Sequence, residues 1–181
     1  MSLSTRATID DLYRVEGKAE LVNGEIVHVA PVGEDPGTAG FEIAVNLRAY
    51  ARGTGRGRAF PDGVGFTVHL PHREAFSPDA AYHVGPHRGM RCAEGAPIFA
   101  VEVHSEHDDG PAAEREMAAK RADSFAAGTL VVWDVDLLSP EVIRSYTASD
   151  PDHPVILRRG ERADAEPAVP GWHMAVDELF A

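Results

Sequence analysis

The chain is poor in cysteine and lysine and has no long apolar run. Its 181 residues include one cysteine, Cys92, which excludes an internal disulfide and a cysteine-rich zinc site. No apolar stretch approaches the ~20 residues of a membrane-spanning helix, and a basic-then-apolar secretory leader is missing, so the expectation is a cytoplasmic protein without a membrane partner. The motifs GxxxxGK(S/T), GxGxxG, GxSxG and HExxH do not occur, which removes the common kinase, dehydrogenase, hydrolase and zincin chemistries. Positive charge is scarce as well: 17 Lys+Arg face 29 Asp+Glu, for a net charge of −12. Proteins that grip nucleic acid mainly through counter-ion release carry a basic face, so any such contact here must be local. The only lysines are Lys18 and Lys120, the other 15 basic residues being arginine, and each lysine position therefore stands out.

What is present reads as one α/β (α+β) domain over residues 1–181, at 44% hydrophobic and 25% charged residues. Thr8 followed by Asp10 and Asp11 opens a short helix. Asn23-Gly24 between Glu20-Leu21-Val22 and Glu25-Ile26-Val27 predicts an N-terminal β-hairpin, because a type I′ turn needs positive φ at both central residues. Pro31 to Gly40 reads as a loop, and Phe41 to Ala51 as a helix ended by Gly53-Thr54-Gly55. Val64, Phe66, Val68 and Leu70 alternate as a strand; Pro78 to Tyr82 is a second, shorter one. Ile98 to Val103 has the continuous apolar character of a central strand. Pro111 to Ala127, capped by Gly128, predicts a helix, and Leu130 to Val135 another buried strand, so strand, helix and strand form a crossover unit. A hairpin over 141–157 and a helical turn at 176–180 close the chain.

One acid is out of place. Glu102 lies inside the apolar strand 98–103, where an isolated carboxylate costs several kcal/mol unless it is paired, protonated or metal-bound. Asp79 begins its own strand after Pro78. If the two strands are neighbours, both carboxylates converge on one cation, and an oxygen-only set suits Mg²⁺ or Mn²⁺. Lys120 follows on the crossover helix, packed against the same sheet. The plain alternative is a buried Glu102–Lys120 ion pair.

Together these residues resemble the PD-(D/E)xK superfamily, and within it a large bacterial family of endonuclease-like proteins. The likeness runs through Ala19-Glu20-Leu21-Val22-Asn23-Gly24-Glu25-Ile26, Ser77-Pro78-Asp79 and Phe99-Ala100-Val101-Glu102-Val103-His104-Ser105. It continues at Lys120, Ala127-Gly128, Val131-Val132-Trp133-Asp134, Pro170-Gly171-Trp172 and Asp177-Glu178-Leu179-Phe180. The resemblance implies a restriction-endonuclease-like fold, a central mixed sheet flanked by helices, and a metal-dependent endonuclease acting on DNA. It implies Asp79, Glu102 and the Val103 carbonyl as ligands of Mg²⁺ or Mn²⁺, which would polarise the phosphate and activate a water. The short motif would place a lysine two residues after Glu102; His104 stands there, and Lys120 matches a lysine relocated to the following helix. Glu20 matches a recurrent acid near the site, and Glu20 and His104 are expected as supporting groups around it. Relatives often carry a histidine near the position of Gly40. A homodimer, with one site per DNA strand, is also implied.

Arg48, Arg52 and Arg56 recur every four residues and would share one face of a continued helix, as candidate phosphate contacts. The loop with His104, Glu106, His107, Asp108 and Asp109 is rich in metal-capable groups, and within it His104 and His107 with Asp108 offer a rival zinc or other transition-metal site of unrecognised spacing. The alternative function is a catalytically lapsed nuclease fold acting as a DNA- or protein-binding module.

Overall fold

The computed structural model describes residues 6–106 and 110–180. The elements in chain order are α1 (Ile9–Leu12), β1 (Ala19–Val22), β2 (Glu25–His28), α2 (Glu34–Thr54), β3 (Arg58–Pro61), β4 (Phe66–Leu70), β5 (Arg73–Phe76), β6 (Ala80–His83), β7 (Ala93–Glu94) and β8 (Phe99–Val103). There follow α3 (Pro111–Ala127), β9 (Val131–Val135), β10 (Ile143–Thr147), β11 (Asp150–Leu157), β12 (Arg162–Asp164), β13 (His173–Ala175) and a 3₁₀ turn at Val176–Phe180. No helix among the described residues is long and apolar enough to cross a membrane.

Local chemistry accounts for most of these boundaries. Thr8 caps α1 and exchanges hydrogen bonds with Asp11, a capping box. In the β1–β2 hairpin Val22 pairs with Glu25, and Asn23 (φ 55°) and Gly24 (φ 73°) supply the two positive φ angles of the turn. Gly128 (φ 112°) ends α3 in the left-handed conformation, and Gly55 (φ 68°) does the same for α2.

Two expectations are corrected. The stretch Glu34 to Gly40 is the opening of α2, not a loop. Pro36 sits in the first turn, where its missing N–H has no intrahelical partner to lose, and Glu34 and Asp35 complement the helix N-terminus. Gly40 is tolerated because the helix passes close to β6 there: a Cβ on Gly40 would stand 3.3 Å from the Asp79 carbonyl oxygen. Arg56 lies beyond the left-handed Gly55, so it leaves the helical face that Arg48 and Arg52 share.

The main sheet has the order β11-β10-β9-β8-β6-β3 and is mixed: β8 and β9 run parallel across α3, while every other neighbouring pair is antiparallel. Alternation gives its two faces different chemistry. Phe99, Val101, Val103, Val131, Trp133 and Val135 pack with Ile43 and Leu47 of α2 and with Trp172 in the core. There the Phe99, Trp133 and Trp172 rings lie 5.0–5.7 Å apart. Ala100, Glu102, Val132 and Asp134 fall on the other face, towards α3. A second sheet, β2-β1-β5-β4-β7, packs on α3 through β4 and carries the N-terminal hairpin.

Candidate active site

Strand alternation and pairing gather the acids. β6 and β8 are adjacent, with Ala80 opposite Val101, so Asp79 enters its strand beside the end of β8. The Asp79 N–H donates to the Val101 carbonyl (3.0 Å), and the Val103 N–H donates to Asp79 Oδ2 (2.8 Å). Lys120 on α3 reaches across the sheet: its Nζ stands 2.8 Å from Glu102 Oε2 and 3.0 Å from Glu20 Oε1. Glu20 comes from β1 and is held by Arg73 of β5 at 2.6 Å and by the Ser77 N–H at 3.0 Å. Arg73 in turn donates to Asp123 (2.8 Å), whose other oxygen meets His72 at 2.6 Å. On the opposite side Lys18 places its Nζ 2.7 Å from both Asp79 Oδ1 and Asp62 Oδ1.

Five carboxylates (Glu20, Asp62, Asp79, Glu102, Asp123) thus share three permanent cations (Lys18, Arg73, Lys120). The imbalance falls on Glu102. Burial pushes its carboxyl up to about 7; the Lys120 ammonium opposes this, while the charges of Asp79 and Glu20 add to it. Burial also disfavours the charged forms of Lys120 and Glu20, but in both the neighbours prevail. Glu102 and Glu20 hold the Lys120 ammonium above its usual range, and Lys120 and Arg73 hold Glu20 below the ordinary carboxylate range. Lys18 is likewise raised against the cost of burial by Asp79 and Asp62.

Asp79, Glu102, Lys120 and Glu20, all proposed from sequence, therefore meet. His104 does not join them: its N–H donates to the Val135 carbonyl (2.8 Å), and its ring lines a cavity of about 580 Å³ with Glu34, Asp35, Glu106 and Asp136. Its expected part as a supporting group would therefore be indirect, through Asp134, the acid opposite Glu102, on which it acts electrostatically. His107, Asp108 and Asp109 lie outside the described residues. Sequence reasoning missed Lys18, Arg73, Asp62 and Asp123. Lys18 carried a usable signal, because it is one of two lysines and stands two residues before Glu20, the spacing that puts side chains on one face of an extended segment.

Among the described residues no three histidine, cysteine or carboxylate side chains form a ready-made metal cage. The donor chemistry nonetheless fits a hard cation. Asp79 and Glu102 supply oxygens, the carbonyl of a strand residue faces the same side as its N–H, so that of Val103 looks towards Asp79, and the two surplus negative charges match a divalent ion.

Comparison with known proteins gives the family and the fold. The family model Uma2, described as "Putative restriction endonuclease", matches residues 8–177. The chain belongs to the Uma2 family. A crystal structure described as a putative nuclease belonging to DUF820, from Anabaena variabilis, superposes with a TM-score of 0.73. It covers 96% of this chain and 97% of its own, at 14% sequence identity, which establishes a shared fold and nothing finer. Among curated proteins no relative matches the chain. As an Uma2 protein the chain has a restriction-endonuclease-like nuclease fold, and the described cluster lies wholly inside the matched residues.

Proposed function

We propose that this chain is a Mg²⁺- or Mn²⁺-dependent deoxyribonuclease that hydrolyses phosphodiester bonds at the Asp79–Glu102–Lys120 cluster. The carrying observation is that Asp79 and Glu102 come from adjacent strands and that Glu102 meets a lysine from the crossover helix. Asp79, Glu102 and the Val103 carbonyl would hold the ion, which when bound polarises the phosphate and lowers the pKa of a water. Lys120 has the remaining task. Its ammonium, fixed between Glu102 and Glu20, is placed to orient the attacking water and to offset negative charge that develops on phosphorus-bound oxygens. Glu20, itself held by Arg73 and the Ser77 N–H, is a positioning residue for that ammonium.

Substrate contact is assigned to the groove of about 330 Å³ between α2 and β3, lined by Phe41, Val45, Arg48, Arg52 and Phe60. Arg48 and Arg52 share its helical face with the exposed rings and methyls of Phe41 and Val45. In the chain, Phe41 of the groove follows Gly40, which packs on the Asp79 backbone, and Pro61 of the groove precedes Asp62. These two arginines are the proposed phosphate contacts, and Arg56, past the helix end, is a weaker third. A pair of copies, one site for each strand, is the assembly expected on duplex DNA.

The test is cleavage of supercoiled, linear and single-stranded DNA with Mg²⁺ or Mn²⁺. Loss of cleavage in Asp79→Ala and Lys120→Ala is expected; undiminished activity in both ends the assignment. One observation favours a second reading, a catalytically lapsed binding module: both oxygens of Asp79 already have partners, Lys18 and the Val103 N–H. Calorimetry that finds no divalent-ion binding to the folded protein decides for it.

A further inference from the structure

The chain's only two lysines both end on the candidate metal ligands, one ammonium on each carboxylate. Lys120 has the role given above; Lys18 has none. Its side chain is 13% exposed and reaches two acids at once, Asp79 Oδ1 and Asp62 Oδ1, each at 2.7 Å. The partners of Asp79 differ in how readily they yield. Val103 donates from the backbone of a central strand and cannot withdraw without breaking the sheet. Lys18 donates from the tip of a four-carbon stem. Asp62 offers that tip another anchor: it is 40% exposed, follows β3, and is itself steadied by the Gly63 N–H at 2.7 Å.

We propose that Lys18 is a resident counter-ion of Asp79 that a divalent cation must displace, its ammonium passing wholly to Asp62, so that this lysine sets how much metal the site requires. The inference rests on the metal-dependent reading of the site. In the metal-free protein Lys18 offsets the repulsion among Asp79, Glu102 and Asp62. When an ion arrives, the same positive charge opposes it from a few ångström away. A lysine suits an exchange of this kind, since a compact ammonium can change partners, whereas the fork of an arginine grips a carboxylate with two parallel hydrogen bonds.

The experiment is a calorimetric titration of Mn²⁺ into the wild type, Lys18→Met, Lys18→Arg and Asp79→Asn, with thermal unfolding followed in parallel. Binding is expected in the wild type and absent in Asp79→Asn. Lys18→Met should bind Mn²⁺ about tenfold more tightly or better, because a like charge beside the ion is gone. Lys18→Arg should bind no more tightly than the wild type. Metal binding that is unchanged or weaker in Lys18→Met, with Asp79 still required, overturns the proposal and leaves the metal site standing. Absence of binding in both the wild type and Lys18→Met overturns the metal reading and the proposal together. Binding in Lys18→Met alone supports the proposal in its strongest form. Should Lys18→Met fail to fold, the wild type still answers: with two lysines there are two Cε–Hε correlations by NMR, assigned through Lys18→Arg. Titration with diamagnetic Mg²⁺ should shift the Lys18 signal in step with binding. A Lys18 signal that stays in place while the ion binds at Asp79 refutes the exchange.

Discussion

Glu102 and Asp134 stand opposite one another in neighbouring parallel strands, and consecutive residues of α3, Lys120 and Arg121, neutralise them. The surroundings of the two pairs diverge from there. Asp134 is 4% exposed, its guanidinium partner stacks 3.7 Å over the Tyr146 ring, and among the described residues the second acid on that cation, Glu114, stands 4.0 Å away. Burial pushes Asp134 up to about 6, with Arg121 pulling the other way. Glu102 is more open, at 15%, and its lysine is divided with Glu20 while Asp79 and Lys18 stand alongside. Under the proposed function the difference separates a structural pair from a reactive one: the first joins one enclosed acid closely to one cation, whereas the second has more negative charge than its cations offset and is less completely enclosed.

Substitutions that exchange the properties of these pairs test the distinction. The largest effect is expected on turnover. Lys120→Ala should slow single-turnover DNA cleavage by about 10²–10³-fold, the scale set by losing one transition-state charge contact, while Arg121→Ala leaves the rate per folded molecule nearly unchanged. Stability should show the reverse order. Arg121→Met strands a buried carboxylate and should cost about 3–5 kcal/mol in urea unfolding, and Lys120→Met should cost less because the more accessible Glu102 can take up a proton.

A third effect is in pH. Glu102 has a folded pKa of about 7, raised from its unfolded 4.5. Its contribution is therefore fully present below pH 4.5 and is lost as pH rises to about 7. Asp134 behaves alike between 3.8 and about 6. Metal-free Glu102→Gln should accordingly lose less stability between pH 5 and 8 than the wild type, as read from unfolding midpoints across pH, and Asp134→Asn should flatten only the more acidic part. The smallest expected effect is on substrate: replacing Arg48 and Arg52 by alanine should lower the salt slope of DNA affinity by about one unit for each phosphate contact removed.

Much of the site was legible because its determinants are local or periodic. The alternation around Glu102, the Asn23-Gly24 turn and the Pro111 to Gly128 helix each carry their own signal, and these place Asp79, Glu102 and Lys120 in one neighbourhood once the strands pair. What stayed hidden depends on contacts distant in sequence. Arg73 finds Glu20 only because β1 pairs with β5 through Val22 and Arg73, a single register contact between short strands. Gly37 and Gly40 argue for a loop when read alone, and only the approach of α2 to Asp79 explains a glycine inside that helix. β3, β5 and β7 are four, four and two residues long, too short for alternation to declare itself.

The N-terminal hairpin has a consequence for how this site is assembled and lost. The main apolar core draws on no buried residue before Ala39, yet Lys18 and Glu20, the groups that engage Asp79 and Lys120 from outside the main sheet, both arrive with β1. The hairpin thus carries groups of the site without contributing to the main core, and it is anchored instead through β5 and the buried Leu21. Under the proposed function, substitutions confined to the hairpin would retune the site while leaving the residues of the main core untouched.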